Sequence, residues 1–218
     1  MKHRTFIAVC LLAATLAAAQ AQAPSAKDIQ LVGDRFKPLK WDEMTPEQKT
    51  MMEHLFAGER RGAGGPFNVL LRSPEMGDLA QQFGASMRFH SSLPKKLNEM
   101  AIIITASHWT AQYEWNAHRA AAAQAGLNEA IIQSIATGKR PASMDGDETI
   151  IYNFATDLLN KHEVSDAVFK VTKDKFGEKG VVDLIGVMGY YQLVSMLLNV
   201  DRYPLPAGAK PELQVRGK

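Results

Sequence analysis

The sequence predicts an all-α protein, and three observations support this. Apolar residues recur three and four positions apart through most of the chain, which is typical of helices that bury one face. No long run alternates apolar and polar residues, so a half-buried strand is not indicated. Helix start and stop signals bound the periodic segments. We therefore expect one compact helical domain over residues 44–204.

The first predicted helix begins at Thr45, whose hydroxyl suits the N-cap position. Pro46 fits the first helical position because it needs no backbone N–H there, and acidic Glu47 interacts favourably with the helix dipole. The helix runs to about Arg60. The glycine-rich segment 62–66 ends it, since consecutive glycines and a proline disfavour continued helix.

Three more segments lead to the centre of the chain. Residues 67–71 form a short apolar segment. A second helix begins at residues 73–75, and a third begins at residues 92–94 and ends near Ser107. The second helix carries four large apolar side chains on one face: Met76, Leu79, Phe83 and Met87.

The following helices are bounded by glycine. A fourth helix runs from about Thr110 to Ala125, and Gly126 occupies the usual position after its end. A short helix over residues 128–137 is closed by Gly138 in the same way. A polar loop over residues 138–146 follows it.

The last third of the chain predicts three helices. Asp147 caps the first of them, and Gly177 ends the second, which covers residues 165–176. The third covers residues 181–200 and is apolar nearly all round. Such a helix must be central to the domain or buried in an interface, and the second possibility favours a homo-oligomer.

The N-terminus has the pattern of a secretory signal peptide. A positive start at residues 1–4 precedes an apolar run over residues 5–19, and small residues, Ala19 and Ala21, occupy the two positions that a signal peptidase reads before a cut after Ala21. We expect residues 1–21 to be removed, and the protein to be exported to a periplasm or secreted. Residues 22–43 then form an N-terminal arm, and residues 205–218 form a C-terminal tail. The apolar run over residues 5–19 is too short to span a bilayer. No integral membrane segment is expected in the mature chain.

Charge and cysteine content exclude several functions. Removing Lys2 and Arg4 from the 25 basic residues leaves 23, which equals the 23 acidic residues. A balanced charge gives no attraction to nucleic acid or to an anionic membrane. The single cysteine, Cys10, lies in the predicted signal peptide. The mature chain therefore has no disulfide, no thiolate nucleophile and no thiolate metal ligand.

The segment from Glu99 to His118 holds the candidate site, because ionisable side chains lie there among apolar residues. Glu114 and His118 are four residues apart and share one helix face. If the two helices are antiparallel, Glu99 lies beside this pair. A carboxylate next to an imidazole raises the imidazole pKa and fixes its tautomer, which suits proton transfer.

Two other interpretations fit the same spacing. Glu and His four residues apart also form ordinary surface ion pairs, and the neighbouring aromatic residues also suit a core. Glu99, His108, Glu114 and His118 are acceptable metal ligands, but their spacing matches no strong metal motif, so no metal or other cofactor is expected. Arg72 and Arg88 are candidates for holding a substrate carboxylate.

Glu99, residues 113–118 and residues 125–127 together resemble the carboxymuconolactone decarboxylase family, within the alkylhydroperoxidase D-like superfamily. The similarity is best over residues 66–138, and residues 181–200 resemble the C-terminal helix more loosely. It implies an all-α fold of the alkylhydroperoxidase D-like type that assembles as a trimer or hexamer. It also implies cofactor-free decarboxylation of a γ-lactone carboxylic acid.

This resemblance assigns roles to the candidate residues. Glu99, Glu114 and His118 are the expected catalytic residues of a lyase or isomerase acting on a small carboxylated lactone or aromatic-derived acid. The expected substrate-binding residues are His108, Trp109, Tyr113 and Trp115. The peroxidase branch of the superfamily has cysteines at the positions of Ala111 and Glu114. Thiol peroxidase chemistry is therefore disfavoured here. A non-catalytic small-molecule-binding protein is the remaining alternative.

Overall fold

The computed structural model describes residues 25–60 and 62–214, and this part of the chain is all-helical. The predicted signal peptide, residues 1–21, lies outside the described residues. Two short 3-10 helices, Ala26–Asp28 and Trp41–Glu43, precede the α-helices. The α-helices are α1 (Pro46–Ala57), α2 (Phe67–Leu70), α3 (Pro74–Phe89), α4 (Lys95–His108), α5 (Gln112–Gln124), α6 (Glu129–Ala136), α7 (Gly146–Lys161) and α8 (Asp166–Asp201).

Capping residues account for two of the helix starts. The Thr45 hydroxyl accepts a hydrogen bond from the backbone N–H of Gln48, as expected for α1. Helix α7 is capped by Asp145 and not by Asp147. Asp145 accepts from the Glu148 N–H while the Glu148 carboxylate accepts from the Asp145 N–H, each at 2.8 Å. This reciprocal pair satisfies two backbone donors, which is why the helix begins earlier than Asp147.

Helix α4 is the centre of the domain. Every residue from Leu97 to Ser107 is buried. The helix packs against α5, α7 and α8, which surround it. Its two hydroxyl groups are satisfied inside the core: Thr105 donates to the Ala101 carbonyl and Ser107 to the Ile135 carbonyl. The apolar run around Ile103 therefore places Glu99 in the interior.

Helix α8 contains a break at Gly177, where φ is 69° and ψ is 175°. The predicted stop at this glycine is confirmed, because a left-handed φ favours glycine. Helix α8 packs against α4, α7 and α3. By length and composition α8 is long and apolar enough to cross a membrane. However, 56% of its most apolar window is buried within the structure, as in a core helix.

The apolar face predicted for α3 is not its buried face. The side chains of Met76, Leu79 and Phe83 are exposed, and the residues that α3 buries are mostly small: Gly77, Ala80, Gln81 and Gly84. A Cβ built on Gly84 would lie 2.0 Å from the Tyr190 ring, so glycine is needed for the close approach of α3 to α8. Three of the four large side chains are consequently exposed, whereas Met87 is partly buried and packs against the main core.

The arm and the tail are both bound to the helical domain. Backbone N–H groups of Asp34 and Phe36 in the arm donate to the buried carboxylate of Asp201, at 3.2 and 2.8 Å. In the tail, the backbone N–H of Leu213 donates to the Gln112 side chain, and Leu213 is buried in the main core. Both segments are therefore anchored to the helical domain.

Candidate active site

The imidazole of His118 lies between two carboxylates on different helices. Its Nδ1 is 2.7 Å from Glu99 Oε2 on α4, and its Nε2 is 3.1 Å from Glu114 Oε1 on α5. The turn between α4 and α5 makes this possible, because Thr110 adopts a left-handed φ of 51° and reverses the chain. The expected juxtaposition of these three residues is present.

The three side chains are buried, with 4% of each residue exposed. Burial alone would lower the pKa of His118, since it penalises the charged imidazolium. The charge and hydrogen bond of Glu114, together with those of Glu99, outweigh burial and raise the pKa of His118 to about 9. At neutral pH the ring is therefore protonated, and each nitrogen donates to one carboxylate. The arrangement is a buried, interhelical acid–base cluster and not a surface ion pair.

A cavity of about 140 Å³ lies beside this cluster. His118 and Glu114 line it, together with Tyr113, Tyr190 and Tyr191. Glu99 does not line the cavity. It contacts His118 at Nδ1, the ring nitrogen that does not face Glu114. Glu114 and His118 can therefore touch a bound molecule, whereas Glu99 orients the ring.

Tyrosines supply the remaining hydroxyl groups of the cavity. The Tyr191 ring lies edge-on to the His118 ring, with 4.8 Å between centroids, and contacts the Tyr190 ring at 5.2 Å. Burial is the main reason that the pKa values of both tyrosines are raised. Burial and contact with Tyr203 raise the pKa of Tyr113 to about 12. All three phenols are thus neutral donors at physiological pH.

Two arginines complete the cavity wall. Arg88, on the exposed side of α3, was a sequence candidate and lines the cavity. Arg72 is elsewhere and donates to the backbone carbonyl of Lys37 in the arm. Arg60 also lines the cavity and is 9% exposed. The sequence carries no signal for Arg60, because it lies in an aperiodic segment between α1 and α2.

Of the four predicted substrate-binding residues, only Tyr113 lines the cavity beside His118. His108 and Trp109 line a separate cleft between α7 and α8. Trp115 is buried in the core, and its Nε1 donates to Glu212 of the tail at 3.0 Å. Side chains of neighbouring residues on α5 point to different faces, so proximity in sequence does not bring Trp115 to the cavity.

The carboxylates and the imidazole of the cluster do not surround a common point, as the ligands of a metal ion do. Within the described residues, no group of three or more His, Cys, Asp or Glu side chains has the arrangement to hold a metal ion. The physical reason at His118 is that its two ring nitrogens point in opposite directions and each already faces a carboxylate. The cluster is better suited to moving protons.

Comparison of the chain with protein-family models and with curated proteins finds no match.

Proposed function

We propose that this protein is a cofactor-free acid–base enzyme, a lyase or isomerase acting on a small carboxylated lactone or aromatic-derived acid. The observation that carries the proposal is the His118 imidazole, buried between two carboxylates at the wall of a small cavity. A proton donor and a potential acceptor, Glu114, face the same space. General acid–base catalysis requires this proximity.

The geometry suggests distinct roles for the three residues. In a decarboxylation, the C–C bond to the carboxylate breaks and its electron pair stays on the substrate carbon as carbon dioxide leaves. His118 Nε2 then delivers its proton to that carbon, and the neutral ring regains a proton from solvent. In an isomerisation, Glu114 removes a proton from one carbon and His118 supplies one to another. Glu99 positions the ring through Nδ1.

The tyrosines provide electrostatic stabilisation in this proposal. Tyr113 and Tyr191 line the cavity as neutral phenols. A hydroxyl that donates to a developing enolate oxygen lowers the barrier most when it is pre-oriented in a site from which water is largely excluded. Packing on Tyr203, 4.4 Å between ring centroids, restrains the Tyr113 ring.

Three supporting features are themselves proposals. The resemblance to the carboxymuconolactone decarboxylase family favours the decarboxylase reaction. The signal-peptide pattern favours export of the protein. Exposed apolar side chains on α3 and α8, including Leu79 and Val182, favour a homo-oligomer, with a trimer or hexamer implied by the resemblance.

A thiol peroxidase is the weaker alternative, because dithiol chemistry needs two cysteines and the sequence has only Cys10. Peroxide consumption by the purified mature protein with a dithiol reductant would contradict this argument. A non-catalytic binding protein is the second alternative, and the unpaired Arg60 in the cavity favours ligand binding of some kind.

The proposal is tested by incubating the protein with a panel of carboxylated lactones and phenolic acids, and measuring carbon dioxide release and product by mass spectrometry. We expect turnover that falls by about 10²- to 10⁴-fold in His118→Gln. His54→Gln is the matched control, since His54 also pairs with a carboxylate, Asp78 at 2.7 Å, but outside the cavity. Equal activity of both variants would contradict the proposal.

A further inference from the structure

Arg60 is a buried cation without a carboxylate partner among the described residues. Its guanidinium Nε is buried and forms no hydrogen bond. By contrast, the buried carboxylates of Glu148 and Asp183 are paired, with Lys96 at 2.8 Å and Lys179 at 2.6 Å. Burying a charge without a partner raises the free energy of the folded state. An unpaired guanidinium at a cavity wall therefore indicates a binding site for a ligand of opposite charge.

The surroundings of Arg60 hold its guanidinium in a fixed orientation. The group lies over the Phe67 ring at 5.2 Å and over the Tyr190 ring at 6.0 Å. Its Nη2 donates to the Tyr190 hydroxyl at 3.3 Å. Aromatic stacking fixes the plane of the planar fork and leaves the Nε–H without a protein acceptor.

The cavity has a cationic region and an acid–base region, joined by two tyrosines. Tyr190 contacts Arg60, while the next residue, Tyr191, contacts His118. The two tyrosine rings are 5.2 Å apart. A small molecule in the cavity can therefore reach both Arg60 and His118. Arg88 adds a second positive charge to the lining.

We infer that Arg60 binds a carboxylate of the substrate that the reaction leaves intact. The substrates are therefore small acids that carry one anchoring carboxylate in addition to the reacting group beside His118. This inference rests on the proposed function and names its substrate class. A carboxylate held by a guanidinium is stabilised in the ground state, which opposes its loss as carbon dioxide. The carboxylate at Arg60 is thus the one that remains on the product.

The anion site is tested by isothermal titration calorimetry with benzoate, using benzamide as the uncharged isostere. We expect the wild type to bind benzoate saturably, and benzamide at least 10-fold more weakly. Arg60→Met should weaken benzoate binding 10- to 100-fold, because a charge-assisted hydrogen bond is lost. Arg60→Lys should restore part of it. Arg140→Met is the matched control, since Arg140 also stacks on a tyrosine, Tyr152, but away from the cavity.

Three results would overturn the inference: no saturable benzoate binding by the wild type, equal binding of benzamide, or unchanged affinity in folded Arg60→Met. A labelling experiment uses only the wild type and so does not depend on the folding of a variant. Benzoate should slow phenylglyoxal modification of Arg60, but not of Arg140, when peptides of the wild type are analysed by mass spectrometry. Equal rates with and without benzoate would also overturn it.

Kinetic measurements distinguish a failure of this inference from a failure of the proposed function. With a processed substrate, Arg60→Met should raise KM at least 10-fold and change kcat less, and the wild-type product should retain a carboxylate. Turnover with unchanged KM in Arg60→Met, or a product without a carboxylate, refutes the role of Arg60 and leaves the acid–base proposal standing. Arg60-dependent benzoate binding without turnover of any compound supports the anion site and refutes the catalytic proposal.

Discussion

His118 and Glu99 belong to different helices, yet Nδ1 and Oε2 of their side chains meet at 2.7 Å in the interior of the domain. This contact joins α5 to the central helix α4. Because Nδ1 is occupied by Glu99, Nε2 is the nitrogen that faces Glu114, which lines the cavity. Orientation of the ring and association of the two helices therefore depend on the same interaction.

Stability is expected to fall between about pH 6.5 and pH 9. The folded pKa of His118 is raised to about 9 from an ordinary value of 6.5. The folded state therefore binds the proton more tightly, so the stabilisation is complete below pH 6.5 and is lost as pH rises through 9. Urea unfolding at pH 6, 7.5 and 9 measures this. His118→Gln should show a flatter pH profile over this interval, and an equally steep profile would contradict the assignment.

The two glutamates should have separable effects on activity. In Glu114→Gln we expect turnover to fall by about 10²- to 10⁴-fold, because Glu114 faces the cavity. Glu99→Gln keeps the shape of its side chain but removes a charge that raises the pKa of His118. The pH at which activity falls on the alkaline side should therefore move down. Activity-versus-pH profiles of both variants check this, and an unmoved alkaline limb in Glu99→Gln would show that Glu99 does not act through the ring.

Two glycines in long helices predict opposite stability changes when replaced by alanine. Gly84→Ala places a Cβ against the Tyr190 ring, and overpacking of this kind costs about 1–3 kcal/mol. Gly189→Ala meets nothing within 4 Å, so helix propensity should stabilise the protein by about 0.5–1 kcal/mol. Thermal and urea unfolding measure both. A neutral Gly84→Ala would mean that Tyr190 moves aside at little cost, and benzoate affinity would then report the displacement.

The arm should be released when its acceptor is removed. In Asp201→Ala, the backbone N–H groups of Asp34 and Phe36 lose their partner, which costs about 1–3 kcal/mol. We expect faster proteolysis between residues 26 and 44, read by mass spectrometry. Asp174→Ala is the control, because Asp174 lies on the same helix but pairs only with the exposed Lys170. Identical digestion of the two variants would show that Asp201 does not hold the arm.

A homo-oligomer is expected, because the exposed apolar side chains of α3 and α8 need a partner surface. Leu79 and Val182 are 70% and 66% exposed. In light scattering coupled to size exclusion, the wild type should be oligomeric, and Leu79→Glu or Val182→Glu should lower the mass without loss of helical circular dichroism. Lys170→Glu, on an exposed polar face, should leave the mass unchanged. A monomeric wild type would end this proposal.

Helix positions were predictable because local signals decide them. Capping by Thr45 and termination at Gly177 depend on backbone groups within a few residues, so the chain displays them directly. Asp145 was missed as the cap of α7 because Asp147, two residues later, has the same chemistry. The buried face of α3 was not predictable, since only the close approach of Tyr190 explains why small residues face inward.

The candidate site was predictable where side chains share a helix, as Glu114 and His118 do. The position of Glu99 beside them requires only that α4 and α5 are antiparallel. Arg60 and Tyr191 reach the cavity through tertiary packing of segments far apart in sequence, which no local spacing encodes. For the same reason, His108 and Trp109 were predicted at the site although α4 turns them toward another cleft.

Leu213 follows Gln112 by 101 positions, yet it belongs to the core that surrounds α4, and Glu212 beside it binds the indole of Trp115. During synthesis, the outer surface of α5 therefore stays uncovered until residues 212 and 213 have left the ribosome. Nascent chains stalled before residue 212 should keep this surface exposed and remain substrates for chaperones.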